Sequence, residues 1–206
     1  MTSQRFITAL ARAISWAMHP LIMPLYLLLV LFSQTTFSLF SPLSKWYMCG
    51  TVVLLAMVAP TLVILLLRFV GWIKNLALSE RRERVIPLLV GAICYLIAAS
   101  LIGRIDSATF LRKLLVAAAL AETLCALITT HWQISLHVTA AGVMLSGFIA
   151  MNLLGLPQMF VPMLITLLGL GALGSARLYL GKHNLAQVAA GALLGLCTGF
   201  FALFFL

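Results

Sequence analysis

The chain has 206 residues, 64% of them hydrophobic and 8% charged, against about 45–50% and 25% in an ordinary soluble domain. Seventeen charged residues cannot coat a soluble protein of this size, which counts against a soluble domain, a disordered chain and a nucleic-acid-binding fold. The net charge of +9 falls between apolar runs, so it reads first as loop charge in contact with anionic lipid headgroups. The expected fold is all-α: a polytopic transmembrane helical bundle forming one domain, with membrane lipids and no nucleic acid as partners.

In chain order, 1–18 is expected to be an interfacial amphipathic segment. Phe6, Leu10 and Ile14 recur at helical spacing, while Arg5 and Arg12 break up any cleavable signal. Residues 19–206 form the transmembrane domain, with about seven apolar runs near the roughly 20 residues that a crossing needs. These runs lie near 17–33, 46–70, 86–103, 110–130, 136–153, 158–175 and 184–206. Pro20 and Pro24 fall in the opening turns of the first, and Pro87 in the first turn of the third. Cys49, Cys94, Cys125 and Cys197 each sit inside an apolar run without close spacing, and read as small hydrophobes rather than disulfides or metal ligands. Gly191, Gly195 and Gly199 make a small-residue stripe on the last run, suited to close helix packing and to a homo-oligomer through glycine-rich faces.

Seven crossings sort the loops into two sets. The face of the N-terminus receives 74–84, 131–135 and 176–183, and the other receives 34–45, 104–109 and 154–157. Nine Lys and Arg residues fall on the first face and four on the second, which by the positive-inside rule makes the first face cytoplasmic. Setting aside the four of the nine that are candidate phosphate ligands leaves five against four, and sidedness stays open.

Three features of that first face carry chemistry. The loop 74–84 holds Lys74, Glu80, Arg81, Arg82, Glu83 and Arg84. It is either a lipid-touching basic loop or a phosphate clamp, since guanidinium groups grip phosphate oxygens in bidentate fashion. Ser135 and His137 stand at the start of the fifth run, with Ser135 placed to cap the helix and an anion favoured at its N-terminus. Arg177 precedes His183 by six residues, and Gln187 follows His183 by four. That spacing puts the imidazole and the amide on one helix face within hydrogen-bonding reach. A histidine held through one ring nitrogen offers the other as a nucleophile.

Together, in this order and at helix ends on one membrane face, these residues resemble the type 2 phosphatidic acid phosphatase superfamily, whose pattern is Lys-x6-Arg-Pro, Pro-Ser-Gly-His and Ser-Arg-x5-His-x3-Asp. The likeness covers roughly 70–206, with the motifs within 74–187. Lys74-x6 reaches Arg81, but Arg82 stands where proline is expected. Pro87 lies three residues past Arg84, so either Arg81 or Arg84 is the phosphate ligand. Only Ser135 and His137 remain of the second motif. In the third, Ala176 replaces serine and Gln187 replaces aspartate. A glutamine oxygen can fix the imidazole tautomer but supplies no negative charge, and the comparable loss in the serine-protease triad costs about 10⁴ in rate.

The resemblance implies a lipid phosphatase of the bacterial cytoplasmic membrane with a six-helix phosphatase-like core. It implies that His183 attacks the phosphorus to form a phosphohistidine, that Gln187 orients it, and that His137 protonates the leaving group and then activates water. Lys74, Arg81, Arg84, Ser135 and Arg177 would hold the phosphate oxygens, with no metal and no cofactor. The substrate would be a polyprenyl (pyro)phosphate, a phosphatidate-like lipid or a lipid A phosphate. A non-catalytic lipid-phosphate binder or transporter is the alternative, and a haem-bearing electron carrier with axial ligands among the four histidines is a third reading, for which His131 and His137, six apart across a helix break, are poorly spaced. Glu122, inside the fourth run, is either functional or structural. His19 reaches the same face without a defined role.

Overall fold

The structure is a computed structural model that describes residues 2–74 and 80–206. The middle of the expected basic loop, 75–79, lies outside the described residues. Among those described, the chain is a bundle of eight helices with short one-turn helices in the connections and no strands.

The helices are α1 (Thr2–Ala17), α2 (Met23–Gln34), α3 (Pro42–Phe69), α4 (Arg81–Ile102), α5 (Thr109–Thr129), α6 (Leu136–Leu153), α7 (Phe160–Tyr179) and α8 (Leu185–Phe205). Helices α3, α4, α6, α7 and α8 are long and apolar enough to cross a membrane, and the chain is an integral membrane protein by that character. Helix α5 has 21 residues but carries Arg112, Lys113 and Glu122. Helix α2 has 12 residues, about 18 Å of rise against a hydrocarbon core of about 30 Å.

The expected first crossing at 17–33 is divided at His19 and Pro20, between the end of α1 and the start of α2. Helix α1 packs along α7 through Ala11 and Ser15, leaving Phe6 and Leu10 exposed. Thr8 Oγ1 is 3.5 Å from Tyr179 Oη, and Met18 packs on Gly169. The chain from Thr8 to Met18 therefore runs antiparallel to α7 and enters the bundle beside it before breaking.

Helix α3 widens to a π-turn over Val53–Val58, immediately before Pro60. Proline cannot donate to the carbonyl four residues back, and its ring crowds that carbonyl; the wider turn relieves both. Helix α4 begins at Arg81, earlier than expected, so Pro87 lies in its second turn rather than its first. This brings Arg84 onto the helix, on the same face as Pro87, Leu88, Gly91 and Tyr95.

Helices α6 and α8 run parallel in close contact. Gly191 abuts Ser135 and Thr139, Gly195 abuts Thr139 and Val143, and Gly199 abuts Ser146. A Cβ at Gly195 would strike the Thr139 carbonyl oxygen and lie 2.9 Å from Val143 N. The glycine stripe thus packs within the chain, against α6. The four cysteines are free.

Candidate active site

One end of the bundle gathers the turn before α4, the turn before α6 and the turn between α7 and α8. Gly181, with φ +63°, provides the left-handed residue that ends α7 and lets the chain reverse into His183.

The geometry at His183 is set by how α8 begins. Asn184 is the N-cap: its Oδ1 accepts the Gln187 N–H at 2.9 Å, and Gln187 Oε1 accepts the Asn184 N–H at 3.2 Å. This reciprocal cap satisfies two otherwise orphan donors. The same Gln187 Oε1 lies 3.1 Å from His183 Nδ1. A main-chain N–H can only donate, so the Gln187 atom beside it must be the oxygen and the amide orientation is fixed. His183 Nδ1 must then carry the hydrogen. In the neutral ring, Nε2 is left with the lone pair.

His183 is 8% exposed. Burial lowers its pKa to about 4, the Gln187 hydrogen bond and the Gln133 main chain opposing the shift and the Arg177 and Arg84 charges reinforcing it. At neutral pH the ring is uncharged, the form a nucleophile needs.

His137 occupies the first turn of α6, and its ring meets that of His19 edge-on with centroids 5.1 Å apart. Arg84, Arg177, His19, His137, Lys182 and His183 line one cavity. Arg177 Nε is buried without a hydrogen-bond partner. Arg84 approaches Gln133, with Nη1 and Nη2 3.2 and 2.8 Å from the side-chain oxygen in the amide orientation that satisfies both residues. Two guanidinium groups and a lysine thus converge beside two histidines, a set suited to the oxygens of a phosphate.

The cavity has a volume of about 710 Å³. Below the basic rim its walls are apolar, from Met23, Pro24 and Leu27 on α2 to Leu111, Leu114, Leu115 and Ala118 on α5. From Cys125 to Leu111 the lining follows α5 for about 21 Å at 1.5 Å per residue. A charged mouth over a long apolar shaft matches an amphiphile with an anionic head.

The structure separates the expected phosphate ligands. Arg84 and Arg177 are on the cavity wall. Arg81 is exposed and donates to the His131 carbonyl at 2.7 Å, so between the two open choices Arg84 is the one placed at the cavity. Lys74 is 77% exposed in its side chain and pairs with Glu80 at 3.1 Å, which holds it outside. Ser135 is the N-cap of α6, yet its hydroxyl caps nothing: Oγ is fully buried, has no partner and does not line the cavity. Its main-chain N–H instead donates to the Gln187 carbonyl at 3.4 Å, tying the start of α6 to α8. His131 pairs with Thr130 and, unlike His137, does not line the cavity.

Three contributors had no assigned role in the sequence. His19 was visible only as a histidine before a proline, and the α1–α2 break delivers it. Gln133 precedes Ser135 by two residues without a motif. Lys182 stood out only as a neighbour of His183. No protein-family model, curated protein or solved structure matches the chain.

Proposed function

We propose that the protein is an integral-membrane lipid phosphatase, hydrolysing a lipid phosphomonoester or pyrophosphate through a phosphohistidine. The observation that carries this reading is His183, neutral and oriented by Gln187 through Nδ1, at the basic mouth of a long apolar cavity. The resemblance to type 2 phosphatidic acid phosphatases supports it. The same resemblance motivates placement in the bacterial cytoplasmic membrane, with α1–α2 and α5 completing seven crossings.

In this mechanism the lipid tail lies in the shaft and the phosphate at Arg84, Arg177 and Lys182, whose positive charge stabilises the transition state. His183 Nε2 forms a bond to phosphorus as the bond to the lipid oxygen breaks. His137 relays a proton from the phosphate monoester's own acidic oxygen to that leaving oxygen. His137 then relays a proton from water to the phosphate as the water oxygen attacks the phosphohistidine, releasing phosphate and restoring both histidines to their neutral forms. Gln187 keeps the Nδ1 hydrogen in place throughout.

The test is phosphate release from a panel of lipid phosphates by reconstituted protein, without divalent metal. Turnover is expected for at least one lipid, and its absence across the panel overturns the reading. The second reading, a lipid-phosphate binder, is favoured by one feature: Gln187 gives the cationic phosphohistidine no negative charge. Binding without release would select it.

A further inference from the structure

The shaft contains one carboxyl group that phosphate chemistry does not use. Glu122 lines the cavity, and its Oε2 is buried without a hydrogen-bond partner. Among the described residues it forms no ion pair. Its carboxyl lies against the bare Cα of Gly91, where a Cβ would collide with Oε2. Tyr95, 5% exposed and one turn beyond Gly91 on α4, lines the same cavity. Gly91 is seven residues beyond Arg84 on the same face of α4, about 10 Å deeper along the helix. A polar group at this depth is costly unless something bonds to it. Oε2 is packed on Gly91, so a ligand reaches the carboxyl only from the cavity that the residue lines.

We propose that Glu122 and Tyr95 form a second recognition point that hydrogen-bonds an ester carbonyl of the lipid, so that the cavity selects acyl-linked glycerolipid phosphates over lipids of equal length lacking the carbonyl. This rests on the reading of the mouth as a lipid-phosphate site. The phosphate sits at the arginines, the glycerol passes the apolar collar of Pro87 and Leu88, and the carbonyl arrives at the carboxyl and the phenol. Both groups can donate to a carbonyl, the carboxyl in its neutral form.

Dioleoyl phosphatidate and its dialkyl ether analogue share head and tails and differ in the carbonyls. Binding of each to detergent-solubilised full-length protein is measured beside phosphate release. Wild type is expected to prefer the diacyl lipid at least fivefold in Kd, and Glu122→Leu to bring the two within twofold. Glu122→Gln, whose amide still donates, keeps the preference. Gly91→Ala, whose methyl displaces the carboxyl while leaving it in the chain, reduces it and gives an independent readout if Glu122→Leu does not fold. Arg84→Ala weakens both lipids alike. Equal wild-type affinity for the two lipids, or a preference unchanged by both Glu122→Leu and Gly91→Ala, overturns the proposal. Preferential binding of the diacyl lipid with no release from any lipid overturns the phosphatase reading and leaves this one standing. Binding of neither lipid overturns both.

Discussion

Gln187 Oε1 stands 3.1 Å from His183 Nδ1, one helical turn away, and also accepts the Asn184 N–H, completing the capping box at the start of α8. One amide oxygen therefore both starts a helix and selects the tautomer of the proposed nucleophile.

Replacing His183 with alanine should abolish at least 99% of lipid phosphate release, on the order of the hundredfold or greater losses seen when a group acting directly in the transition state is removed. Helicity measured by circular dichroism should be retained, because His183 precedes α8 and the Asn184 cap remains. Wild-type turnover in the mutant would sink the nucleophile assignment.

Gln187→Asp should keep or raise turnover, since a carboxylate accepts both hydrogen bonds and adds the missing negative charge. Gln187→Leu removes both. It should cost about 0.5–1 kcal/mol of stability through loss of the reciprocal half of the capping box, the Asn184 cap remaining, and lower kcat more than it raises KM. Thermal unfolding and steady-state kinetics on the same preparations separate the two effects.

The acid limb of kcat/KM should report His183. Its folded pKa is about 4, below the ordinary 6.5, so the ring stays neutral and reactive until the pH nears 4. Stability follows the same sign. Between pH 6.5 and about 4 the unfolded chain takes up a proton that the folded chain refuses, and stability falls as pH drops through that window. Gln187→Asp should move the acid limb upward, because a carboxylate favours the charged ring. An acid limb that does not move would count against direct coupling of the two residues.

The basic residues should divide by position rather than by charge. Arg84→Ala and Arg177→Ala each remove a cation from the cavity wall, and should raise KM about tenfold or more, the scale of a charge-assisted hydrogen bond. Arg81→Ala and Lys74→Ala should stay within about twofold, since surface pairs such as Lys74 with Glu80 contribute little. A large effect at Lys74 or Arg81 with none at Arg84 would reverse the assignment of the clamp.

The bundle was legible because hydrophobic runs and their punctuation are local properties. The turn that presents His183 was legible because Arg177, His183 and Gln187 lie within eleven residues of one another. What failed was nonlocal. Nothing in the sequence of 1–18 says that the face holding Ala11 and Ser15 packs into the bundle while Phe6 and Leu10 stay exposed. The choice between Arg81 and Arg84 depends on where α4 starts, and a proline at 87 suggested a later start than the helix takes. Ser135 was read as a side-chain cap, but the close approach of Gly191 encloses it. The glycine stripe announced close packing without naming its partner.

The backbone contact between α6 and α8 couples distant parts of the molecule. His137 rides on the first turn of α6, and His183 stands immediately before α8, so their separation is a property of the helix pair rather than of either loop. The two rods are clamped at Gly191, Gly195 and Gly199, two of these lying progressively farther from the polar end. A side chain added at the lower clamp would act as a wedge below a pivot, and its effect would emerge as a change in the gap between two imidazoles that it never touches. The alignment of the proposed chemistry is in this sense written in the middle of the membrane, in residues that have no side chains.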